Sequence, residues 1–172
     1  RGVRRVIARL GELLRHNLER GGDAEATLRD ELGVLARYVE IMQVRFQGRL
    51  TVDTHADDAI MDALVPTMIL QPIVENAIKH GAERIVADAR IEISATREGD
   101  DVVIRVRDNG PGVTPAAEGA RTGVGLGNSR ARLEQLYGGG QRLTVNTHPD
   151  GGAVAEMRVP YHVQPVRGVE PR

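Results

Sequence analysis

Two runs of strict alternation fix much of what this chain can become. Ile91, Ile93 and Ala95 alternate with polar residues, Gly99-Asp100-Asp101 turns the chain, and Val102, Ile104 and Val106 alternate again. Successive side chains of a strand point to opposite faces, so the pattern predicts an antiparallel hairpin with one apolar face. Leu143 to Thr147 and Ala153 to Val159 predict a second hairpin around Pro149-Asp150-Gly151-Gly152. An apolar sheet face has to be covered, and the segments able to cover it have helical periodicity. Thr27 with Asp30 three residues on is a capping-box signature. It opens a helix whose Leu28, Leu32, Leu35, Val39, Met42 and Phe46 keep one face until Gly48. Residues 67–80 read as a helix with Pro66 suited to its first turn and Pro72 inside it, where the missing N–H frees a carbonyl and bends the rod. Residues 109–125 read as loop, 128–137 as a helix stopped by Gly138-Gly139-Gly140, and Leu50 to Thr54 as a short strand. A further amphipathic helix is expected at 3–19, where Val3, Ile7, Leu10, Leu14 and Leu18 recur every three or four residues. The expected fold class is α+β: a two-layer α/β sandwich with a mixed, mainly antiparallel sheet, preceded by a helical segment.

Composition narrows the function. A net charge of −1 leaves no electrostatic footprint for nucleic acid, and 2% aromatic residues leave no stacking platform for single strands. Without cysteine there is no disulfide and no thiolate zinc site. No apolar run approaches the ~20 residues that cross a bilayer, so no membrane segment is expected in these 172 residues.

Three segments carry chemistry. On the helix 67–80, Asn76 and His80 are four residues apart and Lys79 three from Asn76, so they share a face. An Asn carbonyl suits Mg²⁺, which keeps waters and completes its shell from phosphates; Lys79 and His80 then stabilise phosphate charge. Glu75, about 100° round the helix from Asn76, either orients a metal-bound water or is a solvated residue of that face. Asp108 ends an apolar strand and enters Asn109-Gly110-Pro111-Gly112. There a carboxylate can accept from an exocyclic amino group while glycine backbone admits a flat ring. Gly123, Gly125 and Gly127 lead into a helix from Asn128, which suits an anion held by amides and helix dipole. The loop follows no strand of a βαβ unit and lacks a Gly-Lys-Ser/Thr ending, so the Rossmann and P-loop readings fail.

In this order the three segments resemble the N box and two glycine boxes of the GHKL, or Bergerat-fold, ATP-binding superfamily. More narrowly, Leu70-Gln71-Pro72, Glu75-Asn76-Ala77 and Lys79-His80-Gly81 resemble the string of LytS-type sensor histidine kinases. Leu28…Glu31-Leu32, Tyr38…Glu40…Arg45-Phe46, Arg132-Leu133…Leu136-Tyr137-Gly138 and Gly151-Gly152…Val159-Pro160 are similar too, so the likeness covers roughly residues 25–160. The resemblance implies that Asn76 ligates Mg²⁺, that Asp108 reads the adenine amino group and that Gly110 and Gly112 line the adenine pocket. It assigns Gly123, Gly125, Leu126, Gly127 and Asn128 to the base of an ATP lid in contact with phosphates. Glu75, Lys79 and His80 complete the expected catalytic set. The chain departs from the family at Ala153, where Thr often follows the glycine pair, and in a short lid, 113–122. Hydrolytic branches of the superfamily carry Glu four residues before the metal-binding Asn; here Pro72 stands there and cannot activate water, which favours phosphotransfer.

The resemblance thus implies the ATP-binding catalytic domain of a two-component sensor histidine kinase, with ATP and Mg²⁺ as cofactors. The expected division is residues 1–22 as part of the helical dimerisation and phosphoacceptor region, 23–160 as catalytic domain and 161–172 as a disordered tail. The family's acceptor string, Pro-His-Phe-Leu-Phe-Asn, is absent, and His16 reads as a helix-surface residue. The chain therefore reads as part of a longer, membrane-anchored, homodimeric protein whose cytoplasmic domain this is, with its own upstream acceptor helix and a response regulator as partners. Three rivals are a GHKL hydrolase, an anti-sigma-type serine kinase or binding module, and a degenerate docking domain with no nucleotide affinity.

Overall fold

The expected first hairpin is β4 (Ala89–Glu98) with β5 (Asp101–Asp108), and the second is β6 (Arg142–Thr147) with β7 (Ala153–Pro160), in a computed structural model that describes residues 24–85, 88–113 and 124–165. The chain enters through β1 (Glu25–Thr27) and α1 (Leu28–Arg45), followed by β2 (Leu50–Ala56), β3 (Leu64–Pro66) and α2 (Leu70–His80); α3 (Val124–Tyr137) separates the two hairpins. The helix expected at 3–19 and lid residues 114–122 lie outside the described residues.

Five strands form one sheet in the order β2-β4-β5-β7-β6. The β2–β4 pair is parallel and the other three are antiparallel, so the sheet is mixed and mainly antiparallel as expected. Register turns the alternation into rows: Ala95 faces Ile104, which faces Met157, which faces Leu143. Ile93, Val106, Ala155 and Val145 form the next row. These rows are the core, and the helices lie on them; α2 contributes Leu70, Ile73, Val74, Ala77 and Ile78, all buried. Each of the Leu, Ile and Val side chains stabilises the fold by roughly 1.5–3 kcal/mol relative to exposure. The other face of the sheet carries charge. Arg105 bridges Glu98 and Glu156 at 2.8 and 2.7 Å, and Arg158 bridges Glu98 and Asp101 at 2.7 and 3.3 Å. A sheet covered on one side and ionic on the other gives two layers.

Local signals at α1 hold. Thr27 Oγ1 accepts the Asp30 N–H at 3.2 Å, which caps the helix, and donates to Asp30 Oδ2 at 2.8 Å, so the reciprocal bond goes to the hydroxyl rather than to the Thr27 N–H. Four expectations are corrected. Pro66 is the end of β3, opposite Glu25 in an antiparallel ribbon with β1, so α2 begins only at Leu70. Pro72 is then the third residue of α2, where an N–H has no intrahelical acceptor in any case, and it neither frees a carbonyl nor bends the helix. The third helix starts at Val124 rather than Asn128, because Leu126, Ser129 and Leu133 are buried together on one side of it. Residues 161–165 were expected in the tail, yet Tyr161 and His162 are packed. The Arg97 guanidinium lies 3.9 Å from the Tyr161 ring centroid. His162 Nδ1–H donates to Pro160 O at 2.8 Å and Nε2 lies against Glu25 Oε1, which also accepts the Tyr137 hydroxyl at 2.6 Å. Burial, then Glu25, pushes that Tyr137 phenol above its usual range. Among the described residues no helix is long and apolar enough to cross a membrane.

Candidate functional site

β5 delivers Asp108 into the protein: the carboxylate ends the strand 3% exposed. Its Oδ1 accepts the Gly110 N–H at 2.9 Å and the Ala153 N–H at 3.4 Å. Three segments close on Asp108, and each brings a glycine against it or its turn. A Cβ on Gly81, just past α2, would lie 2.4 Å from Asp108 Cγ, and one on Gly110 would lie 2.5 Å from Gly81 Cα. Gly152, with φ +81°, passes so close to the Asp108 carbonyl that no side chain fits at all. Asn109 fixes the same turn to the start of β4: its Oδ1 accepts the Arg90 N–H at 2.8 Å and its amide donates to Asp88 O at 3.0 Å. Gly112, φ +80°, lies against Thr147, whose hydroxyl accepts the Val113 N–H at 3.0 Å. Ala153 stands opposite Thr147 in the ladder and is buried, so a methyl occupies the position where the family often has a hydroxyl. Gly81 and Gly152 had no assigned role in the sequence reading. Their signal was only that a glycine follows His80 and a glycine pair precedes β7.

The second element is α2. Pro72, Asn76 and His80, four residues apart, form one ridge along it. A Cβ on Gly125 would lie 3.9 Å from Pro72 Cβ, so the first turn of α3 rests on the first turn of α2. At the other end of the ridge, Gly81 touches Asp108. The ridge thus runs about 13 Å from the glycine-bearing start of α3 to the buried carboxylate, with half-buried Asn76 between them. His80 is buried in the wall at the Asp108 end, whereas Lys79 is exposed. Glu75 takes a different bearing: it accepts from Gln71 Nε2 at 3.0 Å. It faces Tyr38 of α1, whose phenol is pushed up by burial first and by the Glu75 charge second.

The third element is the start of α3. Gly125, Leu126, Gly127 and Asn128 lie at the start of this helix, not in a loop, and the amides of its first residues, Gly125 and Leu126 among them, lack intrahelical acceptors. Such an end favours an anion. Leu126 is buried and anchors the turn, while Gly125, Gly127 and Asn128 are exposed; Ser129 Oγ donates to Gly125 O at 3.0 Å. Gly123 lies outside the described residues. Among the described residues no group of three carboxylates, imidazoles or thiols is placed to hold a metal. A divalent cation would have Asn76 as protein ligand and take its remaining ligands from phosphate and water. Two surface hollows, one between the end of α1 and β4 and one between α3 and β6, reach neither Asp108 nor Asn76. The glycine and carboxylate geometry decides the site.

Known proteins are similar to this chain in sequence and in fold. Residues 61–163 match the family described as histidine kinase-, DNA gyrase B- and HSP90-like ATPase, and residues 1–50 match the histidine kinase family. The chain is 32% identical over 156 residues to sensor histidine kinase BtsS of Escherichia coli, covering 91% of this chain and 27% of that protein. It is 29% identical over 171 residues to sensor protein LytS of Oceanobacillus iheyensis, covering 92% and 29%. The chain therefore spans little more than a quarter of the length of these relatives. Among solved structures, the histidine kinase domain of the Erythrobacter litoralis blue-light activated kinase superposes with TM-score 0.61 at 19% identity, over 86% of this chain and 70% of that one. The nucleotide-free catalytic domain of histidine kinase ThkA gives 0.60 at 17%, over 79% and 93%. This chain belongs to the histidine kinase-, DNA gyrase B- and HSP90-like ATPase family, as an ATP-binding catalytic domain of the sensor histidine kinase type.

Proposed function

We propose that this domain binds ATP with Mg²⁺ along the Pro72–Asn76–His80 ridge, adenine at Asp108 and phosphates at the start of α3. The observation that carries this reading is the ridge itself, which joins a buried carboxylate in a glycine turn to the amide-rich end of a helix. Asp108 accepts from the adenine amino group, and Gly110 and Gly112 leave room for the ring. The Asn76 carbonyl is the protein ligand for Mg²⁺, which when bound neutralises phosphate charge. Lys79 adds charge from the exposed side, with the backbone of Gly125, Leu126, Gly127 and Asn128 around the phosphates. His80 lines the wall between Asn76 and Asp108, and Glu75, turned toward Gln71 and Tyr38, has an orienting role. In the longer protein, a homodimer anchored in the membrane with this domain in the cytoplasm, an imidazole nitrogen of an upstream helix attacks the γ-phosphorus. The N–P bond forms as the bond to ADP breaks, and the phosphoryl group then passes to an Asp of a response regulator. Positioning and charge stabilisation supply most of such catalysis. Pro72 cannot serve as a base for water, so hydrolysis is disfavoured.

Calorimetry with and without Mg²⁺ tests the metal end. Asn76→Ala is expected to abolish the gain in ATP affinity that Mg²⁺ confers while ADP in chelator binds as in the wild type. An unchanged magnesium response removes Asn76 from the role. A second experiment tests the direction of phosphoryl flow. None of the five histidines lies in a Pro-His-Phe-Leu-Phe-Asn string, so the 172 residues should bind γ-labelled ATP yet stay unlabelled. Joined to an upstream helix that carries that string, they should acquire an acid-labile label there. Acid-labile label on His16 of the chain alone overturns the assignment.

A further inference from the structure

Three helices meet at residues 67–69, beside the site but outside it. α2 has no side-chain cap of its own: Ile69 holds the N-cap position, preceded by Met68 in a left-handed conformation, φ +59°. The first amides of a helix need acceptors from elsewhere. They find them in α1, where the Glu31 carboxylate, 4% exposed, accepts the N–H groups of Met68, Ile69 and Leu70 at 2.6, 3.1 and 3.4 Å. α3 contributes Arg132, whose guanidinium donates to Thr67 O at 2.7 Å and faces the same carboxylate. Burial pushes the Glu31 carboxyl up, while the three amides and Arg132 pull it down. A left-handed Met persists only where its surroundings hold it. Here those surroundings are one carboxylate and one guanidinium, from the two helices that flank α2.

The placement matters because of what each helix carries. Asn76 lies two turns beyond Ile69 on α2, and the glycine amides lie two turns before Arg132 on α3. The two first turns also touch through Pro72 and Gly125. An α2 that pivots or frays at its start carries Asn76 with it. An α3 released from Thr67 can slide along that contact.

We propose that Glu31 and Arg132 are positioning residues, which clamp the start of α2 so that Asn76 and the amide end of α3 present one fixed phosphate and metal site. The proposal rests on the assignment of Asn76 as metal ligand. It separates the two ends of the pocket, because the Asp108 turn is held by contacts of its own, from Gly110, Ala153 and Asn109. Groups that orient a metal ligand typically change metal affinity ten- to hundredfold when altered. Glu31→Gln keeps the shape but turns an N–H₂ toward backbone donors. It is expected to lower the affinity for ATP with Mg²⁺ by roughly tenfold or more and that for ADP in chelator by less than about twofold.

Calorimetric titration of both nucleotides at a temperature where circular dichroism shows each variant folded reads this split. A merely structural role lowers both affinities together or neither, and either result overturns the proposal. In an Asn76→Ala background, where no magnesium response is left, Glu31→Gln should change the affinity for ATP with Mg²⁺ by less than about twofold; a loss of roughly tenfold there also overturns it. Asn76→Ala alone separates the two possible failures. If it keeps the magnesium response, the metal assignment falls and takes this proposal with it. If it loses the response and Glu31→Gln retains it, only the clamp falls. Should Glu31→Gln fail to fold, half-buried Arg132→Gln carries the same test with the same expected split.

Discussion

Asp108→Asn is expected to weaken ATP binding by about ten- to hundredfold and to narrow the preference for ATP over GTP. The reasoning starts from burial. A carboxylate 3% exposed, held by the Gly110 and Ala153 amides, is an acceptor of fixed orientation. Losing a hydrogen bond to a charged acceptor costs roughly 1.5–3 kcal/mol, hence that range of affinity. Asparagine keeps an oxygen for the Gly110 and Ala153 amides but sets an N–H₂ group where adenine brings its own donor. Guanine offers a carbonyl at the same place, so it clashes with the wild-type carboxylate and is accommodated by the amide. Calorimetry with both nucleotides on both proteins decides the matter, and equal wild-type affinities would falsify the assignment of Asp108 as adenine reader.

Gly152→Ala should be the most damaging change of a single methyl group. The residue has φ +81° and the added carbon would penetrate the Asp108 carbonyl, which is backbone and has no rotamer to escape into. Left-handed strain costs about 1–2 kcal/mol and overpacking about 1–3 kcal/mol, so a loss of roughly 2–5 kcal/mol in urea unfolding is expected. Nucleotide affinity should fall as well, since the strand end that carries the proposed adenine acceptor is what must move. Gly99→Ala is the control. It shares the positive φ, +63°, but a Cβ there meets nothing within 4 Å, so it should show the conformational cost alone, about 1–2 kcal/mol. Equal losses for the two variants would mean that the close approach of Gly152 to Asp108 does not exist in solution.

The hairpins were legible in the sequence because alternation is a short-range signal that burial enforces residue by residue. Thr27 and Asp30 were legible for a similar reason, since their bond spans three residues. What the sequence concealed depends on distant partners. β1 and β3 are three residues each, too short for a period, and exist because they pair across a separation of some forty residues. Nothing in Leu50–Ala56 says that its neighbour is β4 rather than β7, or that the pair is parallel. The start of α3 was misplaced because glycine is a poor helix former, and the buried Leu126, Ser129 and Leu133 that override this preference show only in the packed protein. The candidate site follows the same rule. Asn76, Asp108 and the glycines announced themselves by spacing, while Glu31 and Arg132 bear on the start of α2 only after three helices have come together.

The clasp at Glu25 gives the domain a direction in which it bears load. A force applied to the backbone at Ala24 meets Glu25 before it reaches α1. Glu25 is laddered to Pro66, receives the Tyr137 hydroxyl and abuts His162, while the His162 carbonyl accepts the Leu64 N–H at 2.8 Å. Tension therefore divides among β3, the last residue of α3 and the strand end beyond β7. Tyr137 is the far end of the helix whose first turn carries Gly125 and Gly127, about 18 Å away. A pull or twist at Ala24 thus bears, like thrust on a rod, on the far end of the helix whose first turn is the proposed phosphate site.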